Sequence, residues 1–404
     1  MGTATFVESS QLATRRRGYD LPLLLTLGLL LLFGLVMLFS ASWDYSNQLY
    51  ASPWYMFLRQ VRWLAVGLVL MIALSNIDYH YWQQWSLPLM GGTLALLILV
   101  LLVGEIRLGA QRTLFNGAYQ PSELAKLATV IYLSVWLYAK RQFLHDISFG
   151  LIPLSVILGL VGGLIYLQPD LSATMTVLVL GSLLFFLAGG RWPQIAFIVV
   201  AALVTLWAVT KINPTGQARV AAYLAGLRDP LQSSYHIQRV FEAFVRGGFF
   251  GRGLGESVTK LNGLPVPPTD SIFAVLVEET GFVGALVLFA LYGVLCWRGL
   301  MLAYRAPDML GTLMATGIVF WITLEMLINT GVMVGLIPFA GNTLPFFSAG
   351  GSNLVASLAG IGILLNISRQ AGEAVSEERW RSFGAIVDLR RRNRRRRVSG
   401  ARRA

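Results

Sequence analysis

The chain has 404 residues, 55% of them hydrophobic and only 13% charged, whereas soluble domains carry about 25% charged residues. That balance excludes an ordinary soluble enzyme and a disordered chain, and it points to a polytopic membrane protein, each span needing about 20 apolar residues. The net charge of +12 is concentrated in residues 369–404, where twelve Arg face four acidic side chains; this reads as a cytoplasmic tail on anionic membrane lipids, not a nucleic-acid site, because aromatics for base stacking are not interleaved with the charges.

In chain order, a polar N-terminal arm (residues 1–19) carries Arg15, Arg16 and Arg17. The apolar run 21–40 follows and is too long for the core of a cleavable signal, so it reads as the first span. Further apolar segments occupy 61–77, 85–103, 124–138, 149–167, 171–188, 194–210, 271–297, 310–336 and 354–367. Lipid offers no partner for open backbone groups, so the spans must be helical. The expected fold is an all-α polytopic membrane protein of about ten transmembrane helices, with one transmembrane domain over residues 20–368 and a tail over 369–404. Lys140, Arg141, Arg191, Arg298, Arg305, the N-terminal arm and the tail share one side, which the positive-inside rule makes cytoplasmic. Both termini are therefore expected inside, although Arg59, Arg62, Arg107 and Arg112 lie on the other face.

One connection is out of proportion. Residues 211–270 form a loop of about 60 residues on the outer side. It is too rich in Phe and Gly to be a plain linker, and surface-lying amphipathic helices are expected within it. The loop is basic, with Lys211, Arg219, Arg228, Arg239, Arg246, Arg252 and Lys260 against Asp229, Glu242, Glu256 and Asp270. Guanidinium and ammonium groups suit either lipid headgroups or a lipid-linked diphosphate. The Gly-rich run 247–255 lacks the Lys-Ser/Thr ending of a nucleotide P-loop.

Asp270 ends this loop at the mouth of the eighth span. It reads either as an N-cap of that helix or as a general base at the water–lipid boundary, where partial burial raises its pKa. Glu123 and Lys126, at i and i+3, share a helix face at the start of the fourth span and are expected to form an ion pair that organises a cavity. Glu325 and Asn329 suit a buried polar contact or a cavity wall. Glu278 and Glu279 fall well inside the eighth span by count. His80, His145 and His236 are scattered, which argues against a His-based metal site. The 344–352 stretch interrupts helix between the last two spans, as a plain turn or as broken backbone lining a cavity.

Taken together, these motifs resemble the SEDS family (shape, elongation, division and sporulation), of which FtsW and RodA are typical. Gly109-Ala110-Gln111-Arg112, QPSELAK at 120–126, Gln168-Pro169-Asp170-Leu171, GGxxGxGLGxS at 247–257, Lys260, Thr269-Asp270, Glu278-Glu279 and LPFxSxGGS at 344–352 occur in the family's order. The resemblance implies a glycosyltransferase that polymerises lipid II into peptidoglycan strands at the outer face of the bacterial cytoplasmic membrane, during division or elongation, beside a class B penicillin-binding protein. It implies Asp270 as the catalytic base and Glu123–Lys126 as a structural pair. Arg112, Arg246, Arg252 and Lys260 are candidate diphosphate ligands, and Thr269, Ser348 and Glu325 candidate cavity residues. No cofactor is called for, and a divalent cation is left open. The sequence departs from the family at Pro268 (usually His), Ser271 (usually Phe), Ala349 (usually Tyr), Thr113 (usually Trp), and His236 and Arg239 (usually Gln). A lipid II flippase or transporter and a non-catalytic scaffold for a penicillin-binding protein remain as alternatives.

Overall fold

The computed structural model describes residues 19–107, 110–114, 119–212 and 214–371; the predicted N-terminal arm and nearly all of the tail lie outside them. Every one of the ten apolar segments is helical: α1 (Leu21–Tyr50), α2 (Tyr55–Asn76), α3 (Trp82–Val103), α4 (Pro121–Lys140), α5 (Ile152–Leu167), α6 (Leu171–Leu187), α7 (Trp192–Ile212), α10 (Ile272–Tyr304), α11 (Met309–Met333) and α12 (Gly351–Ala371). The protein is a polytopic all-α membrane protein. Seven of its described helices are long and apolar enough to cross a bilayer, and α6 and the described part of α7 are shorter apolar helices. Between α7 and α10 the large loop folds into α8 (Pro214–Arg228) and α9 (Tyr235–Gly247). A small hairpin of β1 (Glu105–Arg107) and β2 (Ala110–Thr113) precedes α4.

Local chemistry sets the helix starts. Asp20 accepts from Leu23 N at 2.9 Å with Pro22 in the first turn of α1. Asp170 caps α6 through Ala173 N at 3.1 Å, and Asp308 caps α11 through Gly311 N at 2.7 Å. Each carboxylate satisfies an orphan N–H and favours the helix dipole. α10, α11 and α12 form the buried inner layer, whereas α2 and α3 turn most of their apolar surface outward, as lipid-facing spans do.

Two ion pairs lie some twenty residues apart along α10. Arg298 on α10 pairs with Asp20 at the start of α1. At the far end, Lys260 Nζ lies 2.9 Å from Glu279 Oε1 and 2.9 Å from Ser40 Oγ. That separation corresponds to about 30 Å of helix, which is the thickness of the hydrocarbon core. Glu278 and Glu279 lie within the helix Ile272–Tyr304, as their count along the sequence implied, and both are buried.

Just beyond them α10 is broken. Gly281 has φ +71, so the helix is interrupted there. The freed carbonyls of Glu278 and Glu279 accept from Arg252 N and Gly253 N, both at 3.0 Å, while Phe282 N and Val283 N donate to Gly248 O and Phe249 O. The Gly-rich run thus replaces the missing helix hydrogen bonds, which buried backbone demands. Its glycines are required by contact: a Cβ on Gly247 or Gly251 would lie 2.2 Å from the carbonyl oxygen of Val277 or Glu279. Glu278 ties down the next turn, accepting from Ser257 Oγ at 2.5 Å, Val258 N at 3.1 Å and Thr259 N at 3.2 Å. The run is a brace for the broken helix.

Candidate active site

Asp270 stands at the end of the large loop, just before α10. The N-cap reading does not hold: Ser271 occupies the cap position of α10. The Asp270 carboxylate has no hydrogen-bond partner among the described residues. Its backbone, by contrast, is tightly fixed. Asn329 Nδ2 donates to Asp270 O at 3.2 Å. Ser348 Oγ donates to Thr269 O at 2.7 Å, and Ala349 N to Pro268 O at 2.7 Å. The 344–352 stretch is thus a clamp on residues 268–269, with Phe346 held at φ +68, Gln60 Nε2 donating to Ser348 O at 3.1 Å and Tyr292 OH to Pro345 O. Below Asp270, Ser271 Oγ donates to Pro265 O at 2.6 Å. A rigid main chain therefore presents a free carboxylate.

The charges around it are few and specific. Burial pushes the Asp270 carboxyl above the usual aspartate range; Arg112 pulls it down, Asp170 pushes it up, and Arg219 pulls it down. Arg112 comes from β2 and Arg219 from α8. Burial and the like charge of Arg112 lower the Arg219 guanidinium from its ordinary value, with Asp270 opposing. Two cations converging on one carboxylate suit an anion arriving between them.

Asp170 is held behind this group. Its Oδ2 accepts from Gln120 Nε2 at 2.9 Å and Ser122 Oγ at 3.0 Å. Ser172 Oγ lies 3.1 Å from Asp170 Oδ1 and 3.0 Å from Gly341 O, donating to one of them. Both QPS at 120–122 and QPD at 168–170 are thereby joined to the loop beside Asp270.

Deeper in the bundle, Lys126 Nζ is 2.8 Å from the Glu123 carboxylate and also pairs with Glu325. Asn353 Nδ2 closes the ring, donating to Glu123 at 2.7 Å and Glu325 at 2.9 Å. All four side chains are buried. The cluster reaches Asp270 through backbone: Asn342 Nδ2 donates to Glu325 O at 3.1 Å, and Asn329 Nδ2 donates both to Asn342 O at 2.5 Å and to Asp270 O.

The remaining cations named from the sequence sit elsewhere. Arg246 Nη2 lies 2.6 Å from Glu242 Oε1 along α9, Lys260 is buried against Glu279 and Ser40, and Arg252 is exposed in the Gly-rich turn. Thr269 Oγ1 donates to Val266 O at 3.3 Å. Gly341 and Asn353 were not singled out from the sequence. Asp170 was named there only within a family motif and Arg219 only as one of the loop's cations. Among the described residues, no cluster of three or more His, Cys, Asp or Glu side chains is arranged to hold a metal ion.

Comparison with known proteins supplies the context for this geometry. The FtsW, RodA and SpoVE family model, described as cell cycle protein, matches residues 21–373. Stage V sporulation protein E of Bacillus subtilis (strain 168) is 37% identical over 362 residues, covering 89% of this chain and 99% of that protein. The probable peptidoglycan glycosyltransferase FtsW of Geobacter sp. (strain M18) is 35% identical over 367 residues, covering 89% of this chain and 100% of its own. Among solved structures, a chain of a peptidoglycan synthase complex, studied for the structural coordination of polymerization and crosslinking, superposes with a TM-score of 0.71 at 30% identity over 87% of this chain and 98% of that one. The rod shape determining protein RodA of Thermus thermophilus gives 0.65 at 29% identity, covering 87% and 97%.

Proposed function

Because the chain belongs to the FtsW, RodA and SpoVE family of cell cycle proteins, we propose that it is a peptidoglycan glycosyltransferase that polymerises lipid II, with Asp270 as general base. The observation that carries this reading is the unpaired Asp270 carboxylate on a clamped backbone, faced by Arg112 and Arg219. The carboxylate takes the proton of the acceptor sugar's 4-hydroxyl. The resulting oxygen attacks the donor's anomeric carbon, and the bond to undecaprenyl diphosphate breaks. Arg112 and Arg219 take up the charge that develops on the leaving diphosphate. A base whose pKa is raised towards neutrality is better matched to this task than an ordinary aspartate.

In this reading Glu123, Lys126, Glu325 and Asn353 are a structural cluster that fixes the α4–α11–α12 interface under the site. Arg246 and Lys260, paired with Glu242 and Glu279, brace the loop. The active face lies on the outer side of the bacterial cytoplasmic membrane with both termini cytoplasmic, and a class B penicillin-binding protein is the partner that crosslinks the product. The test is a polymerisation assay with purified protein, lipid II and the transpeptidase. Glycan strands are expected. Passage of labelled lipid II across a vesicle bilayer without polymer would favour a transporter instead.

A further inference from the structure

Beside the Asp270 segment, a cavity of about 150 Å³ opens between α8, α9 and residues 335–339. Its wall is apolar in the main, with Ala222, Ile237 and Phe339, and its polar side chains are Arg219, Tyr223, Ser233, Ser234 and His236. The hydrogen-bonding capacity of His236 is set by its neighbours. Ser271 Oγ has a single proton, which goes to Pro265 O at 2.6 Å. Ser271 Oγ must therefore accept from His236 Nε2, 2.8 Å away, so the ring proton is on Nε2. Burial lowers the His236 pKa to about 4, so Nδ1 carries a bare lone pair at neutral pH. That atom has no partner among the described residues. The His236 and Phe339 ring centroids are 4.3 Å apart, and the Arg219 guanidinium lies 5.9 Å from the Phe339 ring centroid. The Ser234 hydroxyl is buried with no partner. Buried polar atoms without partners call for an explanation.

We propose that this cavity is a subsite for the acetamido group of a substrate amino sugar. The assignment rests on the glycosyltransferase reading above. An acetamido group has one N–H donor, one carbonyl acceptor and one methyl. His236 Nδ1 accepts the N–H, Ser234 donates to the carbonyl, and Phe339 with Ile237 and Ala222 covers the methyl. The cavity has room for a group of four heavy atoms. A phosphate is disfavoured there, because the His236 lone pair would face its oxygens. Both rings of lipid II carry the group, the glucosamine that attacks and the muramic acid that is attacked.

The test uses the full chain with its transpeptidase and three substrates: natural lipid II, lipid II with a free amine on the glucosamine, and lipid II with a free amine on the muramic acid. The wild-type protein should use one of the two analogues with a KM raised about tenfold, the worth of one well-made hydrogen bond, and the analogue affected names the ring. His236→Phe should raise KM for natural lipid II about tenfold with a much smaller change in kcat, and should lose the discrimination. His236→Gln, which keeps one donor and one acceptor, should restore it. Ala222→Leu fills the cavity without removing a polar group, so it decides the matter if His236→Phe does not fold; it too should lose the discrimination. Equal use of all three substrates by the wild type, or discrimination unchanged in both variants, overturns the subsite while leaving polymerisation standing. No polymer from natural lipid II overturns the glycosyltransferase reading, and the subsite with it.

Discussion

Gly341 backs onto the Asp270 carboxylate: a Cβ at position 341 would lie 2.9 Å from Asp270 Oδ2. The atom it meets is the free end of a side chain, so the protein can accommodate the methyl by turning the carboxylate. Gly341→Ala should therefore leave thermal stability within about 0.5 kcal/mol while lowering kcat at least about tenfold, since small misplacements of a reacting group are costly. Melting temperature and polymerisation rate measured side by side check this.

The raised pKa of Asp270 has consequences of two signs. As a base it works only when ionised, so the acid limb of kcat/KM should lie above the usual aspartate range. Arg219→Gln removes a charge that lowers this pKa, and the limb should move to higher pH. For stability, a carboxyl raised in the folded state contributes most below its unfolded pKa, and that contribution is lost as pH rises through the folded value. Asp270→Asn should thus be more heat-stable than wild type at pH 7, with the difference shrinking towards acid pH. Thermal melts across pH test the sign.

The buried cluster is asymmetric, with two carboxylates on one ammonium. Lys126→Met leaves Glu123 and Glu325 facing each other with only Asn353 between them, and should cost about 3–5 kcal/mol. Glu123→Gln keeps a carbonyl acceptor and leaves a one-to-one pair of Lys126 with Glu325, so it should be much milder. Equal losses in the two variants, read from melting temperatures in detergent, would contradict the arrangement.

Gly251 has φ +77 and sits where a Cβ would strike Glu279 O at 2.2 Å. Gly251→Ala should detach the 248–253 strap from the break at Gly281, at a cost of at least about 1–3 kcal/mol. Faster proteolysis within the loop, with the spans intact, is the expected readout.

The apolar runs made the spans legible, because lipid forces a hydrophobic stretch into a helix whatever its neighbours do. Asp270 stood out as the acidic residue that ends a basic loop at the start of a span, and the sequence left open whether it caps the helix or acts as a base. The partners of buried charges were not. Glu325 joins Lys126 across about 200 residues of chain, and no local spacing announces that contact. Asn353 was hidden for the same reason. Counting placed Glu278 and Glu279 inside α10, but it could not show the break at Gly281 just beyond them. The charged loop residues looked alike in sequence, and only their partners separate Arg219 from Arg246 and Lys260.

The most direct measurement is single-turnover polymerisation of lipid II by the wild type and by Asp270→Asn, both with the transpeptidase bound. The variant should bind lipid II and partner as the wild type does, yet form no glycosidic bond. Strand synthesis by Asp270→Asn at the wild-type rate would contradict the assignment of Asp270 as the base.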